Sequence, residues 1–243
     1  MRALAISLLA LLLCPMLAMA GARSLHLVTD PWEPYVYRDG ATLKGIDYEI
    51  ASEVFRRLGI EVEWELLPWK RCLMMLDRGQ ADGALDIFRT SAREALLVYA
   101  LEPLSTVNFV FFQAQARPLP LARLGTLQGV RVGIAPGFLY GPEFSASLAI
   151  QEPAPTLEAN FGKLLLGRVD LVISDRRQGH AALEHLGLTD RVEEIPRLVH
   201  RDVLYLALRR EGDGASMAER FADALRAFKR EPGYRRLLER YGM

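Results

Sequence analysis

The chain has 243 residues, of which 51% are hydrophobic and 25% charged, and 30 basic residues balance 30 acidic ones. This length allows one large domain or two modest domains, each with its own hydrophobic core. The sequence contains no block of basic residues to hold a phosphate backbone, so nucleic acid is excluded as a partner.

The first predicted element is a secretory signal peptide over residues 1–20. Arg2 precedes an apolar run from Ala3 to Leu13, and Ala18–Ala20 supplies small residues before a cleavage site at Gly21. The apolar run is shorter than the roughly 20 residues that a membrane-spanning helix needs. We therefore expect a periplasmic protein. Only one of its two cysteines survives processing, so no internal disulfide forms.

The first half of the remaining chain alternates between strand and helix patterns. Ser24–Thr29 is a run of residues that favour a β-strand. Apolar residues at helical spacing then follow Gly45 and predict a helix that ends at Gly59, a residue typical of helix C-termini. Apolar and acidic residues alternate over Glu61–Leu66, as in a half-buried strand.

The alternation continues in the same order. Pro68 begins a second helix that ends at Gly79, and Gly83–Phe88 is the third strand. Strands that alternate with single helices predict parallel pairing, with ligands at the carboxyl ends of the strands.

The second half repeats this arrangement after a strand-like run and a proline-rich break at Pro118–Pro120. A new set of strands and a helix, and then two C-terminal amphipathic helices, are predicted from residue spacing. The segments are Val107–Gln113, Val130–Ile134, Leu157–Leu165, Leu171–Asp175, Val203–Leu208, Met217–Phe228 and Tyr234–Tyr241.

Several segments together resemble bacterial extracellular solute-binding proteins of family 3, which bind amino acids in the periplasm. The segments are Asp30–Tyr35, Gly45–Ile50, Leu67–Arg71, Arg89–Arg93, Leu127–Gly133, Leu166–Asp170 and Pro232–Leu237. The resemblance implies an α/β, two-lobed periplasmic-binding-protein fold. Each lobe would be a mostly parallel sheet flanked by helices, and two hinge strands would join the lobes. Lobe 1 would comprise residues 21–114 and 205–243, and lobe 2 residues 115–204.

The same resemblance implies a receptor and not an enzyme. It would capture a small polar solute, an amino acid or a related amine or acid, by hinge closure. It would then deliver the solute to the permease of an ABC transporter. We expect a monomer without metal or cofactor.

Two charged residues are the expected anchors of a zwitterionic solute, which needs a cationic fork and an anion. By similarity, Arg93 in the motif that begins at Thr90 would hold a carboxylate. Asp175, at the end of a buried strand, would accept an ammonium group. Because the two residues belong to opposite lobes, the ligand would bridge them and favour closure. Alternatively, Arg93 is a surface arginine and Asp175 a helix N-cap.

Aromatic residues are expected at the cleft. Trp32 and Trp69 would sandwich the solute's side chain, and Tyr35 and Tyr140 would line the rim. The alternative for the tryptophans is packing in the core of the first lobe.

The turn that begins at Gly137 exposes backbone N–H groups, which can receive a carboxylate. The chain departs from the family here, since Phe138 lacks a hydroxyl, and Asp86 and Phe88 stand where typical members carry serines. Asp86 would favour a cationic solute, whereas Lys70, Arg71 and Arg89 would equally favour an acidic one, and side-chain direction decides between them.

Two other functions remain as alternatives. Some secreted members of this fold are dehydratases that act on cyclohexadienyl or arogenate-type substrates, which requires an acid or histidine in the cleft. The four histidines are scattered and form no metal or triad spacing: His26, His180, His185 and His200. The other alternative is a ligand sensor for a separate membrane kinase.

Overall fold

The computed structural model describes residues 24–119 and 127–243. The predicted signal peptide and Pro120 lie outside these residues. The strands are β1 Leu25–Thr29, β2 Tyr37–Asp39, β3 Thr42–Lys44, β4 Val62–Leu66, β5 Gly83–Ile87, β6 Leu97–Tyr99, β7 Thr106–Ala114, β8 Arg131–Ile134, β9 Ile150–Pro153, β10 Leu171–Asp175, β11 Val192–Val203 and β12 Tyr205–Arg209. The helices are α1 Ile46–Leu58, α2 Trp69–Asp77, α3 Ser91–Glu94, α4 Pro142–Ser145, α5 Leu157–Leu165, α6 Arg176–Leu186, α7 Gly214–Phe228 and α8 Pro232–Arg240.

The strands build two five-stranded sheets and one short hairpin of β2 and β3. The first sheet has the order β4-β1-β5-β12-β6, and only β12 runs against the others. The second has the order β11-β7-β10-β8-β9, and only β7 is reversed. Helices flank both mostly parallel sheets, which confirms the predicted fold class.

The chain passes twice between the sheets, from β6 to β7 and from β11 to β12. The resemblance implied that the segment 106–114 belongs to the first lobe, but β7 pairs along its length with β10 and β11 of the second sheet. An apolar strand does not reveal its partners through its own periodicity. The first crossing between the sheets lies before Thr106 and the second at Leu204, between β11 and β12, and the lobe boundaries stay a prediction.

Packing against α1 brings the C-terminal helix α7 back to the first sheet. Phe55 of α1 and Phe221 of α7 are buried, and their ring centroids lie 4.9 Å apart. None of the helices within the described residues is long and apolar enough to cross a lipid bilayer.

The start of α1 depends on a glycine. Gly45 precedes the helix with φ 126°, and a Cβ at this position would lie 2.2 Å from the carbonyl oxygen of Tyr35. The loop that carries Tyr35 therefore packs directly on the helix start, and only glycine allows this approach.

We expect Gly45→Ala to lower the free energy of unfolding by about 3 kcal/mol or more, because the added methyl meets rigid backbone at a strained φ. Gly59→Ala is the matched control at the other end of α1, since its φ is 68° and no atom lies within 4 Å of the added Cβ. Urea unfolding of both variants measures the difference. Equal losses of unfolding free energy in the two variants would show that the close contact between residue 45 and Tyr35 does not destabilise the alanine variant.

Candidate functional site

A cleft of about 580 Å³ lies between the two sheets, where loops follow the carboxyl ends of β1, β8 and β10. Asp30 and Trp69 line it from the first sheet's side, and Tyr140, Asn160 and Asp175 from the second. A much smaller void of about 10 Å³ adjoins the cleft, because both share Asp30, Trp69 and Phe138 as walls.

Arg93 lies at this small void without an acidic partner. The hydroxyl of Thr90 caps α3 by accepting a hydrogen bond from the backbone N–H of Arg93 at 3.3 Å. The guanidinium donates to the carbonyl oxygen of Phe88 at 2.9 Å and lies 5.5 Å from the ring centroid of Trp69. No carboxylate among the described residues forms an ion pair with it, and partial burial lowers its pKa. This half-buried guanidinium can bind a carboxylate by donating hydrogen bonds to it.

Two carboxyl groups share the void with Arg93. Asp86 is 3% exposed and Asp30 is 7% exposed. Burial raises the pKa of Asp30 from 3.8 to about 7. The pKa of Asp86 lies well above its ordinary value, first because of burial and then because of the nearby charge of Asp47. Neither oxygen of Asp86 has a hydrogen-bond partner among the described residues.

Asp175 lines the cleft and already accepts four hydrogen bonds from the protein. One oxygen accepts the backbone N–H of Asn108 at 2.9 Å. The other accepts the hydroxyl of Tyr35 at 3.0 Å and the backbone N–H groups of Arg177 and Gln178. Asp175 is therefore the N-cap of α6, the alternative that its position after a strand suggested. Its role as acceptor of an ammonium group stays a prediction.

The hydrogen bond between Tyr35 and Asp175 joins the two halves of the molecule. Arg177 extends the link, since it donates to the hydroxyl of Tyr35 at 3.3 Å and to the carbonyl of Thr106 at 3.1 Å. Tyr35 and Tyr140 were both expected to line the rim of the cleft. Tyr35 is instead fully buried and Tyr140 is 4% exposed, so both lie beneath the surface. The described arrangement is a closed one.

We expect Tyr35→Phe to shift the ligand-free protein toward open forms, because it removes a buried hydrogen bond worth about 1 kcal/mol between the halves. Tyr99→Phe is the control, since its hydroxyl donates to Phe88 within the first half at 3.1 Å. Small-angle X-ray scattering measures the change as a larger radius of gyration for Tyr35→Phe alone. An unchanged radius would contradict the link.

The aromatic residues meet in a cage above the small void. Trp32 is 2% exposed, and its ring lies 5.9 Å from Phe88 and 5.2 Å from Phe138 of the second half. Trp69 is 8% exposed and lines both the cleft and the void. Both tryptophans also belong to hydrophobic core clusters, so they line the void and pack in the core at the same time. The indole N–H of Trp32 has no acceptor among the described residues.

The turn after β8 supplies the facing wall. Gly137 has φ 87°, and a Cβ there would lie 3.3 Å from Cγ of Lys70 in the first half. The turn is held by Tyr140, whose hydroxyl accepts the backbone N–H of Ala135 at 2.8 Å. Phe138 is thereby placed against Trp32, and the turn contributes an apolar surface to the cleft.

Sequence patterns missed the role of Asp47. It is fully buried on α1, its Oδ1 accepts the hydroxyl of Ser105 at 2.6 Å, and its Oδ2 has no partner. Burial raises its pKa from 3.8 to about 6. Helical spacing contained the signal, because Asp47 shares a face with Ile50 and Val54 and so points into the core.

The histidines do not form a reactive cluster. His26 contacts Glu65 at 2.9 Å and His180 contacts Glu194 at 2.8 Å. Over the described ranges, no group of three or more His, Cys, Asp or Glu residues could hold a metal ion. Cys72 is buried, and burial raises the pKa of its thiol to about 12, so it is unsuited to act as a nucleophile.

Solved structures with the same fold include several binding proteins. A histidine kinase sensor domain similar to periplasmic binding proteins is 19% identical, with a TM-score of 0.78 and coverage of 90% of this chain and 96% of that one. A mutant of ArgBP from T. maritima is 20% identical, with a TM-score of 0.75 and coverage of 90% and 94%.

The arginine-, lysine-, histidine-binding protein ArtJ from Geobacillus stearothermophilus is 17% identical, with a TM-score of 0.74 and coverage of 90% and 95%. Such identities show a shared fold and leave the ligand open. No protein of curated function matches the sequence.

The family comparison covers nearly all of the described chain. Residues 25–243 match the bacterial extracellular solute-binding proteins, family 3. This match and the two-sheet architecture agree, and the chain belongs to the family 3 bacterial extracellular solute-binding proteins.

Proposed function

We propose that this protein is a periplasmic receptor that closes on a small polar solute bearing a carboxylate, an amino acid or a close relative. The observation that carries the proposal is Arg93, a half-buried guanidinium beside the cleft with no acidic partner among the described residues. A bound carboxylate would supply the charge that the fold leaves out.

The unsatisfied groups of the void support a solute that is both anionic and cationic. Arg93 and the indole N–H of Trp32 are donors, and Asp86 offers two acceptor oxygens. A zwitterion complements all three, whereas a hydrocarbon would leave Asp86 and the indole N–H buried without partners.

Closure follows from the location of the groups on both halves of the molecule. A solute held by Arg93 on one side and covered by Phe138 on the other gains more contacts in the closed form than in the open one. Binding therefore shifts the population toward closure. A membrane permease that distinguishes the two forms would accept only the loaded receptor.

Delivery to an ABC permease is part of the proposal, because two similar structures are substrate-binding proteins of amino acid ABC transporters. The predicted signal peptide over residues 1–20 supports a periplasmic location for the processed, monomeric receptor.

A thermal-shift screen tests the proposal. The protein, stripped of ligand by unfolding and refolding, is heated with amino acids, polyamines, dicarboxylates and prephenate. A solute at 100 times its dissociation constant adds about 2.7 kcal/mol to the free energy of unfolding, a shift of several degrees. Shifts with amino acids support the receptor. No shift with any solute argues against it, and prephenate turnover would establish the dehydratase instead.

A sensor is the second candidate, because one similar structure is the sensor domain of a histidine kinase. A deletion of the gene separates the two functions. Loss of solute uptake supports transport, whereas normal uptake with a lost transcriptional response supports sensing.

A further inference from the structure

Asp86 is a buried acid for which the fold provides no donor. It lies near the carboxyl end of β5 and lines the small void, and neither of its oxygens accepts a hydrogen bond from the described residues. A buried carboxyl group without a donor is strongly disfavoured in its charged form. Burial without a donor therefore favours the protonated form of Asp86 in the ligand-free protein.

The charged groups around Asp86 come from three other elements. Asp47 on α1 is within hydrogen-bonding reach, Asp30 follows β1, and Arg93 lies on α3 across the void. Two carboxyl groups, Asp30 and Asp86, thus line the void together with one guanidinium, and Asp47 lies behind Asp86. This excess of acid favours the addition of one positive charge.

Asp47 cannot satisfy Asp86 by itself. Its Oδ1 is engaged with Ser105, and its free Oδ2 is another acceptor, so a hydrogen bond between the two acids requires a shared proton. Lys229 and Arg177 also favour the charged form of Asp47, which leaves the proton on Asp86.

The two acids at the cleft differ in the donors that they already have. Asp175 accepts hydrogen bonds from Asn108, Tyr35, Arg177 and Gln178, three of them at Oδ2, so its charge is already partly satisfied. Asp86 accepts none from the described residues. A new donor in the cleft therefore gains more from Asp86.

We propose that Asp86 is the acceptor of an ammonium group of the bound solute, and that the proton shared by Asp86 and Asp47 leaves when this group binds. The inference rests on the proposed function, because it concerns the same cleft. On binding, the O–H bond of Asp86 breaks, the proton passes to solvent, and an N–H of the ammonium donates to the carboxylate in its place.

The void is small and is partly walled by aromatic rings. Its volume of about 10 Å³ has room for one group of the size of a water molecule, so a solute that reaches both Asp86 and Arg93 must widen it on binding. Trp32 and Phe138 add aromatic surfaces beside it, which are favourable for a cation.

Asp86→Asn is the decisive variant. The backbone at Asp86 has φ 56°, a region in which asparagine is among the tolerated residues, so the substitution keeps both shape and backbone. We expect the ligand-free variant to unfold at the same temperature as the wild type or at a higher one, since the substitution removes a buried carboxyl group that can ionise. A clearly lower temperature would assign Asp86 a structural role and overturn the inference.

Calorimetric titrations of wild type and Asp86→Asn use the twenty amino acids, their N-acetyl forms, 1,5-diaminopentane and glutarate. We expect binding only of probes with a free ammonium, at least tenfold weaker in the variant. The diamine arm separates an amine alone from the α-ammonium of an amino acid. Asp77→Asn on the exposed side of α2 is the matched control and should bind as the wild type does.

Proton counting completes the test. Titrations in buffers of different ionisation enthalpy should show more protons released per bound amino acid in the wild type than in Asp86→Asn, which keeps only the contribution of Asp30. Affinity should rise with pH more steeply in the wild type than in the variant. Equal binding of an N-acetyl form, or unchanged affinity in the variant, overturns the inference and leaves the receptor intact. Failure of every probe overturns the proposed function as well.

Discussion

Arg93→Ala should abolish solute binding while the protein remains folded. The guanidinium is the one cation that lines the small void among the described residues, and truncation of a buried charge partner costs about 2–5 kcal/mol, roughly 30-fold or more in affinity. The fold should lose only about 1 kcal/mol, because a single hydrogen bond to Phe88 disappears.

Isothermal titration with an amino acid from the thermal-shift screen measures the loss. Arg89→Ala is the matched control, because Arg89 lies in the same segment, is exposed and pairs with Glu94. Arg93→Lys should recover little affinity, since an ammonium cannot make the two parallel hydrogen bonds of a guanidinium. Wild-type affinity in Arg93→Ala would remove the carboxylate clamp from the account.

The ligand-free protein should lose stability as the pH rises from 5 to 7.5. Burial raises the pKa of Asp30 to about 7 and that of Asp47 to about 6, so the folded state holds protons that the unfolded state has released. The free energy of unfolding then falls by about 1.4 kcal/mol per pH unit for each such proton.

The ion-paired acid Glu53 does not mask this effect. Its pKa is lowered to about 2 by Arg56 and Arg57, so its contribution is lost only at more acidic pH. Urea unfolding at pH 5, 6, 7 and 8 measures the slope in wild type and Asp30→Asn, and the variant should show a shallower fall. Stability that rises with pH across this window in both proteins would contradict the burial of charge-prone acids at the cleft.

The sequence predicted the elements with strong periodicity. The first strand, the helix from Gly45 to Gly59 and the buried strand that ends at Asp175 all form within a residue or two of their expected bounds. The long strand β11 was not predicted, because Pro196 and charged residues interrupt its alternation of apolar and polar residues. Antiparallel pairing with β7 stabilises this strand. Pairing of this kind is set by tertiary contacts that no local pattern contains.

The resemblance predicted which residues share a site. It did not predict the hydrogen bonds that these residues form. Arg93, Trp32, Trp69 and Asp86 line one void, as expected for a common site. The number of hydrogen bonds that Asp175 already accepts depends on donors in distant segments, Tyr35 and Asn108, and the sequence does not show these contacts. Side-chain direction and burial decide these roles, and both arise only when the two halves meet.

The central claim is that the cleft holds a solute by its carboxylate. The most direct measurement compares thermal unfolding of the stripped wild-type protein with each amino acid and with the matching amino acid carboxamide, which lacks only the carboxylate charge. The account predicts a shift of several degrees with at least one amino acid and none with its carboxamide. Equal shifts with both forms would contradict the role of Arg93 and the account built on it.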